Sequence, residues 1–292
     1  MRNPVLKVKP GDIVESRTFS HAGDYYDRAG GPWPGEVGPV YIEGAAPGDT
    51  LVVKVVKLRP NRVRAVSHVN SGGMSAVAGD SRTRLLNPTL PTERFEWELD
   101  LDRNVGILAL PRSASRRIEV ALQPMLGRIA VAPAGGEAFG GLWPGSFGGN
   151  MDSSDVREGV TVYLPVFHPG ALFYFGDGHA LQGDGEICGT GLETTMDVTF
   201  EFGLIKGKRI AWPRIEDDTH IMVAGSARPL VDAFRIAHVE LIDWLAQDYG
   251  FDRMEAYQVV SQAGVSRVAN VVGPAYTVMA KFPKRYLPPP TR

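Results

Sequence analysis

The sequence predicts a mainly β protein, α+β overall, arranged as a β-sandwich with an α/β portion towards the C-terminus. Three observations lead there. The 34 glycines and 22 prolines among the 292 residues separate strand-like runs and form no low-complexity blocks, the pattern of a turn-rich sheet protein. The run "TTMDVTFEFGLIKGKRIAW" alternates, with Met196, Val198, Phe200 and Phe202 on one side and Asp197, Thr199 and Glu201 on the other, which is strand periodicity. The period then changes. In "RPLVDAFRIAHVELIDWLAQDYG", Phe234, His238, Leu241, Ile242 and Leu245 recur at helical spacing.

The elements follow in order. "KPGDIVE" and "APGDTLVVKVVKL" each place Pro-Gly in a turn before a β-rich run, since Pro presets one central position and Gly supplies the positive φ of the next. A third Pro-Gly separates "VTVYLPVFH" from "ALFYFGDG", read as two strands joined by a turn. "GRIAVAPA" is a further strand. The glycine-rich stretch after it interleaves Phe139, Trp143 and Phe147, so it reads as an ordered loop against a core and not as a linker. Lys206-Gly207 is a hairpin turn before Arg209–Trp212. Pro229 and Gly250 bound the long helix. Asp252 and Glu255 stand at capping-box spacing before a second helix that ends near Gly264, and "AYTVMAKF" closes as a strand. The expected division is residues 1–206 as the sandwich and 207–292 as the α/β portion, with a soft boundary.

Composition excludes several function classes. A formal net charge of −2 argues against nucleic acid or anionic membranes as partners. One cysteine makes no internal disulfide. No stretch approaches the ~18 apolar residues of a membrane helix, so a cytoplasmic protein is expected.

The chemistry concentrates in Phe175–Thr190, "FGDGHALQGDGEICGT". Asp177/His179 and Asp184/Glu186 are each two apart, and in extended backbone each pair shares a side. Glycines between the pairs allow bends that turn them face to face. An imidazole with converging carboxylates suits a divalent cation; the alternative is a solvated acidic turn. "GGNMD" offers Asn150 and Asp152, again two apart, either as a donor beside a ligand or as an Asx turn. Cys188 is expected to be a small, buried, inert thiol, because no cationic or basic neighbour in sequence lowers its pKa. His238 with Trp244 marks a core or dimer face. His21 with Asp24 and Asp27 belongs to a loop. G-x-S-x-G, H-E-x-x-H and phosphate-loop signatures are absent.

Together, "GPVYIEGAAPGDTLVV", the segment from "GGNMDSSDVREG" through "GDGHALQGDGEICGTGLE", and "LIDWLAQDYGFDRMEAYQVVSQAGVSRVANVV" resemble the acetamidase/formamidase family, over roughly residues 37–282. The resemblance implies a jelly-roll-like sandwich that hydrolyses a short linear amide of formamide or acetamide type to carboxylate and ammonia. It implies a divalent metal ion and no Ser or Cys nucleophile; zinc is favoured over calcium or magnesium. γ-Lactam hydrolases are among the relatives, so a cyclic amide is the alternative substrate. Asn150, Asp152, His179, Gln182, Asp184 and Glu186 carry over by motif. His179 and Asp152 are assigned as metal ligands with Asp184 next, Glu186 as proton relay with Asp184 also in the catalytic group, and Asn150 as oxyanion donor. Gln182, Trp143 and His220 are assigned to substrate. The partner is a small amide, and a homo-oligomer, dimer favoured, is expected. A reading from another class is a calcium-stabilised carbohydrate-binding sandwich with Trp33 and Trp143 as its platform.

Overall fold

The computed structural model describes residues 3–20, 35–69, 74–77 and 90–290. In chain order its first strands are β1 (Leu6–Val8), β2 (Ile13–Arg17), β3 (Val37–Ile42), β4 (Thr50–Pro60), β5 (Arg64–Val69) and β6 (Glu93–Asp100). Next come β7 (Val105–Leu110), β8 (Arg116–Ala121), β9 (Met125–Ala130), β10 (Pro144–Gly145), β11 (Gly148–Asn150) and β12 (Thr161–Pro165). Then follow β13 (Phe173–His179), β14 (Glu193–Thr194), β15 (Met196–Ile205), β16 (Arg214–Glu216) and β17 (His220–Ala227). Two helices, α1 (Leu230–Tyr249) and α2 (Arg253–Ala263), precede β18 (Val265–Asn270) and β19 (Tyr276–Pro283).

These strands form two sheets. One has eight strands, in the order β18-β19-β17-β16-β12-β4-β15-β2; the other has eleven and runs from β10 through β9, β13 and β5 to β8. The eight-stranded sheet therefore takes strands from both sides of residue 206. Pairing is antiparallel apart from β1 on β3. The expected mainly β architecture with a C-terminal helical part is present.

The main core fills the space between the sheets. Phe173 and Phe175 on β13 meet Phe200 and Phe202 on β15, edge to face, with ring centroids 4.9–5.6 Å apart. Each ring adds roughly 1.5–3 kcal/mol of burial, so this quartet fastens the sheets directly beneath the strand that carries His179. The predicted alternation of β15 holds for its apolar side, with Met196, Val198, Phe200 and Phe202 all buried.

Two local readings change and a third gains detail. The strands flanking the third Pro-Gly turn are present but are not each other's partners: β12 pairs with β4 and β16, whereas β13 pairs with β9, β3 and β14. The turn carries the chain from one sheet to the other. Residues Arg209–Trp212 form no strand; in the turn itself, Lys206 Nζ and the Gly207 amide are tied to the Asp49 carboxylate. The buried stripe of α1 is also rotated, running through Ala233, Ala237, Leu241, Trp244 and Leu245 and leaving Phe234 exposed. Close approach explains this: a Cβ on Gly225 of β17 would collide with the Ala233 carbonyl and the Ala237 amide. Only a small-residue stripe fits there. Trp244 is therefore core, while His238 is half-buried, bonded to the Phe234 carbonyl and to Ser266. Gly250 takes the expected left-handed C-cap, and Asp252 caps α2 through the Met254 and Glu255 amides.

Candidate active site

Five elements deliver side chains to one buried cluster. Strand β13 contributes Asp177 and His179, β14 Glu193, the turn beyond β11 Asp152, the end of β18 Asn270, and a 3-10 turn at Asp184–Glu186 contributes Glu186. The single strand β13 brings two of these in because their spacing of two puts both on one side.

Asp152 is almost fully buried, with Oδ2 accepting from Asn150 Nδ2 at 2.5 Å and from Asn270 Nδ2. Asn270 is itself locked, its Oδ1 accepting from the amides of Val272 and Gly273 at 2.8 and 3.0 Å. Its NH2 group must therefore face the carboxylate. Asp152 Oδ1 has no hydrogen-bond partner. A Cβ on Gly127 would sit 2.5 Å from both this atom and Asp177 Oδ2, so only glycine at that point of β9 admits the two carboxylates together.

The imidazole is fixed in the same way. Gln182 Nε2 donates to the carbonyls of Asp152 at 2.5 Å and Ala269 at 3.2 Å. Its Oε1, 2.8 Å from His179 Nδ1, must then accept a proton from that ring nitrogen. Nε2 is left pointing at the acids, 3.0 Å from Glu193 Oε1 and 3.4 Å from Asp177 Oδ1, outside hydrogen-bond geometry with either. An imidazole tied at one nitrogen and presenting the other to carboxylates is the arrangement of a metal-binding histidine.

The donor atoms form two sets, Asp152–His179–Glu186 and Asp177–His179–Glu193, each within 4.8 Å of one another. One nitrogen, four carboxylates and an orphaned buried oxygen fit a hard or borderline divalent cation. Without one the cluster retains protons. Burial first, then the Asp177 charge, pushes the Asp152 carboxyl well above its ordinary range, and burial with Asp152 does the same to Glu186. Burial alone would lower His179, but Glu193 and Asp177 outweigh it and raise the imidazole. A cation would displace these protons, so a charged imidazole before binding and a neutral one after it are two states of one site.

The backbone is strained where it supplies the acids. Asp152, Asp177 and Glu186 have φ of 45, 57 and 50°, at a cost on the order of 1 kcal/mol each for L-residues. Such outliers persist where surrounding structure holds them.

Asp184 departs from expectation. With φ of 82° at Gly185, the backbone from Asp184 to Glu186 is a tight turn and not extended, so the two side chains separate. Glu186 enters the cluster; Asp184 faces outward in a two-point pair with Arg267 at 2.6 and 3.1 Å. It is neither a ligand nor a proton relay in this arrangement. His220 lies at the start of β17, its Nδ1 on Thr219 and its backbone amide on Asp217; it does not line the cavity described next. Gln182 orients His179 and Asp152 and has no donor left for substrate. Trp143 stands outside the cluster, 41% exposed. Cys188 is half-buried rather than buried, with Sγ 3.5 Å from the Thr190 carbonyl. Trp33, His21, Asp24 and Asp27 lie outside the described residues.

Sequence reasoning left Glu193, Asn270 and His68 unassigned and did not carry Asp177 into the site. Asp177 had a signal, its spacing of two from His179. Glu193 and Asn270 are distant in sequence and had none. The cluster opens on a cavity of about 250 Å³ whose polar wall is Asn150, Asp152, Asp177, Glu186, Glu193 and Asn270. His68 and Thr190 close one side, joined by a 2.8 Å bond from the His68 amide.

Fold and site together define a two-sheet β protein with a buried acid–imidazole centre at the floor of a cavity. The model of the acetamidase/formamidase family matches residues 90–285, and the chain belongs to that family. An acetamidase structure from Yersinia enterocolitica superposes with a TM-score of 0.86 at 35% identity, covering 98% of this chain and 87% of that one. The acetamidase of Mycolicibacterium smegmatis is 26% identical over 221 residues, 58% of this chain and 53% of its own length. The chain thus spans about half the length of the curated relatives that match 58% of it. A γ-lactamase from Delftia acidovorans shares the fold, with a TM-score of 0.60 and 20% identity over 98% of this chain and 87% of its own. Among the described residues no helix is long and apolar enough to cross a membrane.

Proposed function

We propose that this chain hydrolyses short linear amides to carboxylate and ammonia, using a divalent cation held by His179 Nε2 with Asp152, and with Glu186, Asp177 and Glu193 close by. The observation that carries the reading is the pair of orphaned buried atoms, His179 Nε2 and Asp152 Oδ1, each with its other side locked by an amide side chain. Family membership supports the amide as substrate. Zinc suits the imidazole, and oxygen-rich surroundings also admit calcium or magnesium.

A divalent cation there would supply Lewis acidity, lowering the pKa of a water from 15.7 to about 7. The protein's own residues do the rest. Asn150 lines the cavity, and its amide nitrogen carries a second hydrogen beyond the one given to Asp152, available to charge growing on the carbonyl oxygen. Glu186, buried in the same cluster, takes a proton from the attacking water and returns it to the nitrogen as the carbon–nitrogen bond breaks. Carbon gains the water oxygen, and nitrogen leaves as ammonia.

The test is ammonia release from formamide and acetamide, before and after chelation, with metal analysis of the same sample. Turnover lost on chelation, restored by zinc, and absent from His179→Ala supports the reading. Full turnover in folded, metal-free protein removes it.

A further inference from the structure

The acid–imidazole cavity does not end at its polar floor. Met74, Leu142, Val272 and Gly273 belong to its wall and also to that of a second cavity of about 360 Å³. This outer chamber continues along Gly140, Gly141, Trp143 and Pro274. Polar groups therefore crowd the inner of two adjoining cavities and apolar surface lines most of the outer one. Beside the outer chamber, Phe139 and Trp143 are 42% and 41% exposed. Their rings lie 5.9 Å apart, and Phe139 stacks at 5.2 Å on Phe147, which is buried. Aromatic surface propped outward on a buried ring and contiguous with a cavity is the kind of apolar patch that marks ligand contact.

Formamide and acetamide leave most of this space empty. Cavities of about 250 and 360 Å³ together fall in the range that encloses an organic ligand of drug size. We infer that the preferred substrate is a primary amide bearing a bulky apolar acyl substituent, with its carboxamide at the acid–imidazole floor and its alkyl or aryl group running past Leu142 and Val272 onto Trp143. The charged residue of the outer chamber, Arg228, has its guanidinium over the Tyr276 ring at 4.4 Å and keeps its positive charge, so the rest of the wall favours an apolar tail and an anionic tail is the competing outcome of the series below. Small residues make the passage: three glycines and a proline among nine lining residues leave room for the substituent. This inference rests on the amidase reading above and concerns the same hydrolysis.

The experiment is a kcat/KM series on the metal-loaded chain with formamide, acetamide, butyramide, hexanamide and phenylacetamide, plus succinamate as an anionic arm. Transfer of each methylene onto apolar wall is worth about fourfold, so kcat/KM rises along the linear series, and phenylacetamide exceeds acetamide by at least about tenfold. In Trp143→Ala the ratio of kcat/KM for phenylacetamide to that for acetamide falls severalfold. A second substitution, Leu142→Trp at a half-buried position of the shared wall, narrows the passage and lowers the same ratio. Acetamide turnover with a flat or falling series overturns this inference and leaves the amidase reading standing. A preference for succinamate over butyramide also overturns it, in favour of an anionic tail. Failure of every amide, with metal bound and the fold intact, overturns the amidase reading itself.

Discussion

Arg214 and His179 are both buried side chains among carboxylates, and they are treated in opposite ways. Around Arg214 each charge has a counterpart: Glu240 Oε1 lies 2.8 Å from Nε and 2.7 Å from Nη2, Gln247 adds a bond at 3.1 Å, and Trp244 covers the guanidinium at 5.1 Å. Lys281 and Asp155, paired at 2.7 Å, follow the same rule. Around His179, four carboxylates face one imidazole, and Asp152 Oδ1 and His179 Nε2 are among the buried atoms without a hydrogen bond. Buried charge is costly unless paired. The Arg214 cluster is close to charge-balanced, although Arg214 Nη1 is buried without a hydrogen bond, and it ties α1 to its sheet. The His179 cluster instead gathers four carboxylates around a single imidazole, an excess of negative charge that protons or a cation would offset.

Experiments can break or sharpen that contrast. The largest effect is expected for Glu186→Gln, which removes the proton carrier and should lower kcat by about 10²–10⁴ while leaving Tm unchanged or higher, because a buried acid is replaced by a neutral isostere. Wild-type kcat in this variant would remove Glu186 from the mechanism. Arg214→Met should do the reverse. Leaving Glu240 buried and unpaired costs about 3–5 kcal/mol of stability in urea titration, with turnover per folded molecule retained. A loss of turnover without a loss of stability would show that the two clusters are not independent.

Orientation comes next. Gln182→Leu releases the Nδ1 tie of His179 and should weaken cation affinity about 10–100-fold by calorimetric titration. Unchanged affinity would mean that the tie does not set the ring.

The pH dependence has a definite sign. In the metal-free cluster Asp152, Glu186 and His179 are all raised above their unfolded values. Their contribution is then fully present below the unfolded pKa values, about 4 for the acids and 6.5 for His, and is lost as pH rises through the folded values. Metal-free protein should therefore lose Tm from acidic towards neutral and alkaline pH. Cation binding displaces those protons, so the Tm gained on adding zinc should grow over the same interval. A gain equal at pH 5.5 and pH 8 would contradict a proton-loaded site. The smallest effect is for Asp184→Asn: its half-exposed pair with Arg267 is worth less than about 1 kcal/mol, and ammonia release should persist. A collapse of turnover there would return Asp184 to the site.

Much of this was legible along the chain because it depends on neighbours in sequence. Alternation on β15, the Gly250 and Asp252 caps, the Pro-Gly turns and the spacing of Asp177 and His179 are local preferences of backbone and side chain, and they survive folding. The identity of the motif around Asn150–Asp152 and His179–Glu186 likewise marked where chemistry gathers.

What depended on three dimensions was which of those groups meet. Asp184 and Glu186 look equivalent in sequence, but a left-handed Gly185 sends one to Arg267 and the other to the cluster. The α1 stripe was set by how closely Gly225 lets the helix approach its sheet, and β12 and β13 part because the turn between them crosses the sandwich. Glu193 and Asn270 stand 14 and 91 residues beyond His179 in the numbering, and only sheet pairing and the return of β18 bring them to it. Sequence determines local conformation through short-range sterics and hydrogen bonding. Convergence of distant charges is decided by packing, because burial alone creates the low-dielectric setting in which carboxylates and a tethered imidazole shift one another's protonation.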